Sequence, residues 1–129
     1  MIIDTSALVA LLDQEPEAAR IAHALASSPE RTLSAANLVE IGIVMQARRG
    51  DDGARDLDLL LAKLKVEIEA VTAGQADIAR KAFRRYGHGR HANLNFGDCF
   101  AYALAKDKSA PLLFKGDHFG RTDVMVAPY

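Results

Sequence analysis

The sequence is poor in several residue types. Among 129 residues it has no tryptophan, one cysteine and four prolines. A single cysteine, Cys99, excludes an internal disulfide or a multi-cysteine metal site and suits a reducing compartment. No apolar run reaches the about 18–20 residues of a membrane span, and the first residues do not have the pattern of a secretion signal. We therefore expect a soluble, cytoplasmic protein with no membrane association.

The sequence also has no marked excess of charge of either sign. Its formal net charge is −1, which excludes a uniformly basic nucleic-acid binder but allows a local basic patch. Hydrophobic residues make up 50% of the chain, enough for a core that needs neither disulfides nor a structural metal. This length suits one domain, which we expect to cover residues 1–129.

The apolar periodicity alternates between strand-like and helix-like segments. Short apolar or alternating runs predict strands at 1–4, 31–34, 66–71, 111–114 and 124–126. Helical spacing, with capping and stop signals, predicts helices at 5–12, 16–25, 36–49, 52–64, 75–86 and 95–106. Strands separated by helical crossovers form mainly parallel sheets, so we predict an α/β fold with helices on both faces of the sheet.

Two acids follow predicted strands. Asp4 ends the first strand, and Asp117 comes shortly after the strand at 111–114. Ligands of open parallel sheets bind outside the carboxyl ends of the strands, so both acids are placed for chemistry at one edge. Each also has a simpler interpretation, since Asp4 could cap the next helix and Asp117 could form an Asx turn.

Two further acids lie on helices. Glu40 is the only charged residue of an apolar helical stretch and has no basic residue one turn away, so burial would be costly without compensation. Asp98 comes three residues after the predicted N-cap Asn95 and could equally be a capping residue. If all four acids met, each pair would repel by about 3 kcal/mol at ~6 Å. Bound Mg²⁺ or Mn²⁺, which prefer carboxylate oxygens, would relieve that repulsion.

A basic segment precedes the Asp98 helix. Between Asp77 and Asp98 there is no acid, and the basic residues are Arg80, Lys81, Arg84, Arg85 and Arg90. We interpret Arg84, Arg85 and Arg90 as phosphate contacts for RNA, with Tyr86 available to stack on an unpaired base. The alternative is a solvated helix face.

Taken together, these residues resemble the PIN-domain ribonucleases, specifically the VapC-like toxins of bacterial toxin–antitoxin pairs. The resemblance runs the length of the chain and rests on residues 1–8, Glu40, residues 94–105 and residues 113–123. It implies a compact three-layer α/β/α fold and metal-dependent endonucleolytic cleavage of RNA.

The resemblance also implies roles for individual residues. Asp4 and Asp98 match the main metal ligands, Glu40 and Asp117 complete the acidic quartet, and Ser6 matches a hydroxyl that supports the first aspartate or a bound water. His118 stands where many relatives carry a further acid, and Asp123 is a nearby alternative to Asp117. The implied partners are a VapB-like antitoxin, the RNA substrate and a second copy of the chain in a homodimer.

Two other classes of function remain as alternatives. A response-regulator-like phosphoacceptor domain has a similar size and an acidic Mg²⁺ pocket. It needs paired acids after the first strand and an aspartate after the third, whereas here the third ends in Val71 and Thr72. A catalytically silent PIN-like binding module would have no need of four acids held together.

Overall fold

The computed structural model describes all residues from 1 to 129. Its strands are β1 (Ile2–Ile3), β2 (Thr32–Ser34), β3 (Glu67–Glu69) and β4 (Leu112–Leu113). Its helices are α1 (Thr5–Leu12), α2 (Ala18–Ser27), α3 (Ala35–Lys63), α4 (Ala73–Tyr86) and α5 (Phe96–Lys108), followed by a 3-10 turn at Phe119–Arg121.

The four strands form one parallel sheet in the order β3-β2-β1-β4. β1 lies in the middle, where Ile2 pairs with Thr32 on one side and with Leu112 on the other. The carboxyl ends of β1 and β4 therefore meet at one edge of the sheet, and the segment after each strand begins there.

The sheet separates two apolar cores. Ile2 and Leu112 pack with residues of α4 and α5, whereas Ile3 and Leu113 pack with residues of α1, α2 and α3. Successive side chains of a strand point to opposite faces, so β1 and β4 each contribute to both cores and are buried on both sides. This arrangement confirms the predicted three-layer α/β/α fold with a mainly parallel sheet.

The predicted helices 36–49 and 52–64 are the two halves of α3. The helix continues across Gly50, whose φ of 59° and ψ of −142° break the helical geometry and produce a kink. This region of backbone space is open almost only to glycine. Although α3 has 29 residues, neither it nor any other helix is apolar enough to cross a membrane.

All five predicted strands are shorter than their sequence patterns indicated, including the two at the margins of the sheet. The alternating run 66–71 forms only the three residues of β3, an edge strand whose Ile68 is 43% exposed. At the other edge, the predicted strand 124–126 is a single bridge between Val126 and Leu112. Both lie at the margins of the sheet, where one side of the strand has no partner and pairing ends early.

The kink at Gly50 gives a direct test of the α3 geometry. Gly50→Ala should lower the free energy of unfolding by about 1–3 kcal/mol, because alanine is strained at that φ and ψ. Gly42→Ala, in the same helix with open space around the added methyl group, should instead raise it by about 0.5–1 kcal/mol. Urea unfolding of both variants measures the difference, and equal shifts would contradict the kink.

Candidate acidic active site

The carboxyl ends of β1 and β4 are tied together by hydrogen bonds. The Asp4 N–H donates to the Leu113 carbonyl at 2.9 Å, and the Lys115 N–H donates to Ser6 Oγ at 2.9 Å. The chain turns from β1 into α1 at Asp4, which is the N-cap of that helix. Asp4 is thus fixed at the sheet edge where the parallel fold predicts a ligand site.

Asp4 is buried, with 3% of its surface exposed. Its Oδ2 accepts hydrogen bonds from the Ser6 N–H at 2.9 Å and from Ser6 Oγ at 2.6 Å. Since Ser6 Oγ also accepts from Lys115, one hydroxyl joins the first acid to the segment after β4. Ser6 therefore makes the contact with the first aspartate that the sequence resemblance implied.

Asp98 lies in the first turn of α5 and forms a capping box with Asn95. Its N–H donates to Asn95 Oδ1 at 2.8 Å, and its Oδ2 accepts from the Asn95 N–H at 3.0 Å. The same oxygen lies 3.2 Å from His118 Nδ1. The capping interpretation is thus correct for Asp98, and it is compatible with a functional role because the cap holds the carboxylate in one orientation.

Glu40 has no basic partner and is held by uncharged donors. Its Oε1 accepts from Thr5 Oγ1 at 2.5 Å and from Asn37 Nδ2 at 3.1 Å. Its Oε2 rests against Gly97, where a Cβ atom would come within 1.8 Å of that oxygen. Glu40 is therefore lodged between the residue after Asp4 and the residue before Asp98.

The three acids affect one another electrostatically. The pKa of Asp4 is raised to about 6, mainly by burial; the charges of Asp98 and Glu40 contribute to this rise, and the hydrogen bonds from Ser6 oppose it. No lysine or arginine pairs with any of the three carboxylates. The pocket is therefore negatively charged near neutral pH.

The candidates for the fourth acid lie apart from these hydrogen bonds. Asp117 has a side chain that is 74% exposed and pairs with Arg121 at 3.1 Å. Asp123 accepts from the Tyr102 hydroxyl at 2.6 Å and pairs with Lys106 at 3.2 Å, and the Tyr102 bond lowers its pKa. The role of Asp117 stays a prediction, and Asp123 serves to join α5 to the carboxyl-terminal segment.

In the basic segment, the three arginines are exposed, whereas the tyrosine among them is not. Arg84, Arg85 and Arg90 all lie at the surface. Arg85 stacks over the ring of Tyr86 at 4.8 Å from its centroid and comes within 4.0 Å of Asp123. Tyr86 itself is buried against Tyr102, so the expectation that its ring could stack on an RNA base is wrong.

The donor set of the pocket fits a hard divalent cation. It consists of carboxylate oxygens, and no three acids, histidines or cysteines of the chain are close enough to form a complete metal shell. Mg²⁺ is commonly held by only one or two carboxylates with water completing its shell, so a pair of acids suffices. Asp4 fits such an ion because it is a buried carboxylate to which no protein cation is bound.

Sequence reasoning missed two members of this site. Thr5 and Asn37 supply the hydrogen bonds that hold Glu40. Asn37 lies three residues before Glu40 on α3, a spacing at which side chains meet on a helix, and this signal was available in the sequence. Thr5 could be found only from the fold, because α1 and α3 are far apart in the chain.

Comparison with known proteins identifies relatives of similar length. The family model of the PIN domain matches residues 1–125. Ribonuclease VapC of Mycolicibacterium smegmatis is 56% identical over 125 residues, which are 96% of this chain and 97% of that protein. Ribonuclease VapC30 of Mycobacterium tuberculosis is 52% identical over 96% of this chain and 95% of its own length.

Solved structures share the fold. Mycobacterium tuberculosis VapC20, described as a sarcin-ricin loop cleaving toxin, superposes with a TM-score of 0.75 at 23% identity and 98% coverage of both chains. VapBC2 of Rickettsia felis, bound to a DNA fragment from its promoter, gives a TM-score of 0.75 at 17% identity, covering 97% of this chain and 94% of that one. At these identities the likeness concerns the fold.

The raised pKa of Asp4 predicts a pH-dependent gain of stability on neutralising it. The folded carboxyl holds its proton up to about pH 6, whereas the unfolded one loses it near 3.8, so ionisation costs stability as the pH rises through this range. Asp4→Asn should raise the free energy of unfolding of the metal-free protein by about 3 kcal/mol above that range and by about half as much near pH 5.

Urea unfolding in the presence of a chelator, at two pH values, measures this gain. The control is Asp58→Asn, an exposed acid on α3, which should show no such dependence. A loss of stability in Asp4→Asn at both pH values would show that the carboxylate is not strained.

Proposed function

The chain belongs to the PIN-domain family and, within it, to the VapC ribonucleases, and on this premise we propose that it is the toxin of a toxin–antitoxin pair. Its activity is the endonucleolytic hydrolysis of RNA phosphodiester bonds with Mg²⁺ or Mn²⁺ as cofactor. The relatives named as VapC ribonucleases, which match over nearly the whole chain, support the RNA-cleaving activity. The cation is our own inference from the acids of the site.

One observation carries the proposal of metal dependence. Asp4, Glu40 and Asp98 come from three different elements to one sheet edge, and the charges of Glu40 and Asp98 raise the pKa of Asp4. A pocket of carboxylates repels an RNA phosphate, with about 3 kcal/mol for each pair of charges at ~6 Å. A divalent cation held by the carboxylates would offset this repulsion and attract the phosphate.

Within this proposal, Asp4 and Asp98 hold the ion, and Glu40 and Asp117 supply the remaining negative charge. When bound, a divalent cation lowers the pKa of a water molecule and stabilises charge on the phosphoryl group. The protein keeps the ligands in place, since Ser6 orients Asp4 and Asn95 orients Asp98. Fixed carboxylates keep the reacting groups aligned without reorganisation.

The RNA backbone is bound by Arg84, Arg85 and Arg90. These side chains are exposed at the end of α4 and in the loop that leads to the first turn of α5, which carries Asp98. Arginine forms paired hydrogen bonds to phosphate and remains charged at all relevant pH values. Phosphates held along this segment would continue toward the acidic pocket.

We assign the whole chain to one PIN domain and to the cytoplasm. Residues 1–125 match the family, and Ala127 still packs into the core of α1, α2 and α3, which supports a domain that covers residues 1–129. The buried thiol of Cys99 is unreactive, because burial raises its pKa to about 11, and such a thiol suits a reducing compartment.

The partners are a VapB-like antitoxin and a second copy of the chain. Several large apolar side chains are exposed on three helices, and apolar exposure of this kind marks interaction surfaces: Val39, Ile43, Phe83 and Phe96. Known structures of similar fold include a toxin–antitoxin complex from Klebsiella pneumoniae, with a TM-score of 0.75, 19% identity and 99% coverage of this chain. The complex supports an antitoxin, and the second copy of the chain is our inference from the exposed apolar side chains.

The first functional prediction concerns the cation. The purified chain, freed of antitoxin, should cleave single-stranded or looped RNA with Mg²⁺ or Mn²⁺ and stop when a chelator is added. Asp98→Asn should lower the rate by more than about 100-fold, because loss of a mere support of a ligand already costs about 10–100-fold. A gel assay with end-labelled RNA measures both effects.

The matched control is Asp107→Asn, an acid at the other end of α5 that accepts a hydrogen bond from Gln75. It should cleave RNA at the wild-type rate. Cleavage that survives exhaustive chelation would contradict the metal mechanism, and a wild-type chain that binds the antitoxin but cuts no RNA would instead support the silent binding module.

The second functional prediction concerns the basic segment. Replacing Arg84, Arg85 and Arg90 together with glutamine should weaken RNA binding and lower the logarithmic salt slope by up to about 2, since each contact on a single strand contributes about 0.7. Metal affinity should stay nearly unchanged. Fluorescence anisotropy over a range of KCl concentrations, in the Asp98→Asn background to prevent cleavage, measures the RNA affinity and its salt slope, and calorimetric titration with Mg²⁺ in the otherwise wild-type chain measures the metal affinity.

A variant with the same change in charge serves as control. Arg55, Lys63 and Lys65 are exposed on the distal half of α3 and after its end, and their replacement by glutamine should leave the slope almost as it is. Equal losses of RNA affinity and salt slope in both triple variants would support the alternative, in which Arg84, Arg85 and Arg90 only form a solvated helix face. Normal RNA binding with loss of antitoxin binding would assign these arginines to the protein partner.

A further inference from the structure

Asn37 is a fully buried polar residue on α3, with 0% of its surface exposed. A buried amide needs partners, because its donors and acceptors lose their hydrogen bonds to water. Its partners lie at the acidic site. Nδ2 donates to Glu40 Oε1 at 3.1 Å and to the Gly97 carbonyl at 3.0 Å.

These two bonds fix the orientation of the amide. Both partners are acceptors, so the NH₂ group must face them, and a flipped amide would place its oxygen against two other oxygens. One bond lies within α3 and the other reaches the first turn of α5, the turn that carries Asp98. Asn37 therefore connects Glu40 to α5, the helix that carries Asp98.

The remaining atom of the amide argues against a purely structural role. Asn37 Oδ1 is buried and has no hydrogen-bond partner in the chain. An unsatisfied buried acceptor lowers stability and offsets part of what the two donated bonds contribute. Leucine has nearly the same shape and no polar atom, so a fold that needed only packing at this position would be served as well by leucine.

Gly97 completes the arrangement from the other side. A Cβ at this position would lie 1.8 Å from Glu40 Oε2, so only glycine lets the carboxylate rest against the α5 backbone. The opposite oxygen of Glu40 accepts from Thr5, the residue that follows Asp4. The placement of Glu40 relative to both predicted metal ligands thus depends on contacts with their immediate neighbours in the chain.

We propose that Asn37 is a positioning residue for Glu40, and that its amide sets the distance between this carboxylate and the first turn of α5. The proposal rests on the proposed function only in that Glu40 takes part in cleavage. Because Asn37 is fully buried, we assign it no contact with the ion or the RNA. It acts by holding Glu40 through Nδ2, while its second hydrogen bond, to Gly97, anchors the amide.

The main test is Asn37→Leu compared with Gln75→Met. Gln75 is also a buried amide, 2% exposed, and donates to the carboxylate of Asp107 at 3.0 Å, away from the acidic site. Asn37→Leu should lower kcat for RNA cleavage by about 10–100-fold, the usual effect of removing a support of a functional ligand, with KM within about twofold of wild type. Gln75→Met should leave both constants near wild type.

A double-mutant comparison tests whether Asn37→Leu lowers kcat by acting on Glu40. In the Glu40→Gln background, Asn37→Leu should cost less than about twofold, whereas independent positions would show their full separate effects. Single-turnover assays with excess enzyme make these low rates measurable. If Asn37→Leu lowered kcat in the Glu40→Gln background as much as it does in the wild-type chain, the proposal would be overturned. An unchanged kcat in Asn37→Leu alone would also overturn it.

A structural readout keeps the two proposals separable. In a crystal structure of Asn37→Leu, the Glu40 carboxylate should leave Thr5 and Gly97 while Asp4 stays bonded to Ser6. An unmoved Glu40 would overturn the positioning role whatever the activity. A wild-type chain that cuts no RNA would reject the proposed function, and the position of Glu40 in the variant would still decide the role of Asn37.

Discussion

The structure depends most on the burial of the Asp4 carboxylate at the end of the central strand. Burial and the neighbouring charges of Asp98 and Glu40 raise its pKa to about 6, so its ionised form is held under strain. The ionised carboxylate nevertheless lies at this buried position, because β1 and β4 pair in parallel and bring their carboxyl ends together. Any ligand that relieves the repulsion also stabilises the fold.

The protein supports the three acids with neutral groups and keeps its cations elsewhere. The hydroxyls of Ser6 and Thr5 and the amide of Asn37 donate to the carboxylates. Lys115, whose backbone N–H bonds to Ser6, directs its Nζ to Glu15 and to Glu17 instead. An ammonium group in the pocket would satisfy the acids permanently and compete with a cation from solution, so neutral donors leave the negative charge available.

Much of this fold could be predicted from local signals. Apolar runs located β1 and β4, the Asn95 cap located the start of α5, and the isolated charge of Glu40 on an apolar helix singled it out. Features that depend on distant contacts could not be predicted in the same way. The burial of Tyr86 against Tyr102, the bond from Thr5 to Glu40, and the engagement of Asp123 by Tyr102 all join residues brought together only by folding.

The N-terminal ends of α1 and α5 offset part of the negative charge of the three acids. Asp4 is the N-cap of α1 and Asp98 lies in the first turn of α5, so both carboxylates lie at the positive ends of helix dipoles. Each helix end carries roughly +0.5 of a charge, so two of them offset about one of the three negative charges. Glu40 belongs to the interior of α3, but its carboxylate rests against Thr5 and Gly97 in the first turns of α1 and α5, so it shares these two helix ends and is held in addition by side-chain donors. A residual charge of about −2 remains near neutral pH, and the divalent cation that we propose would neutralise it.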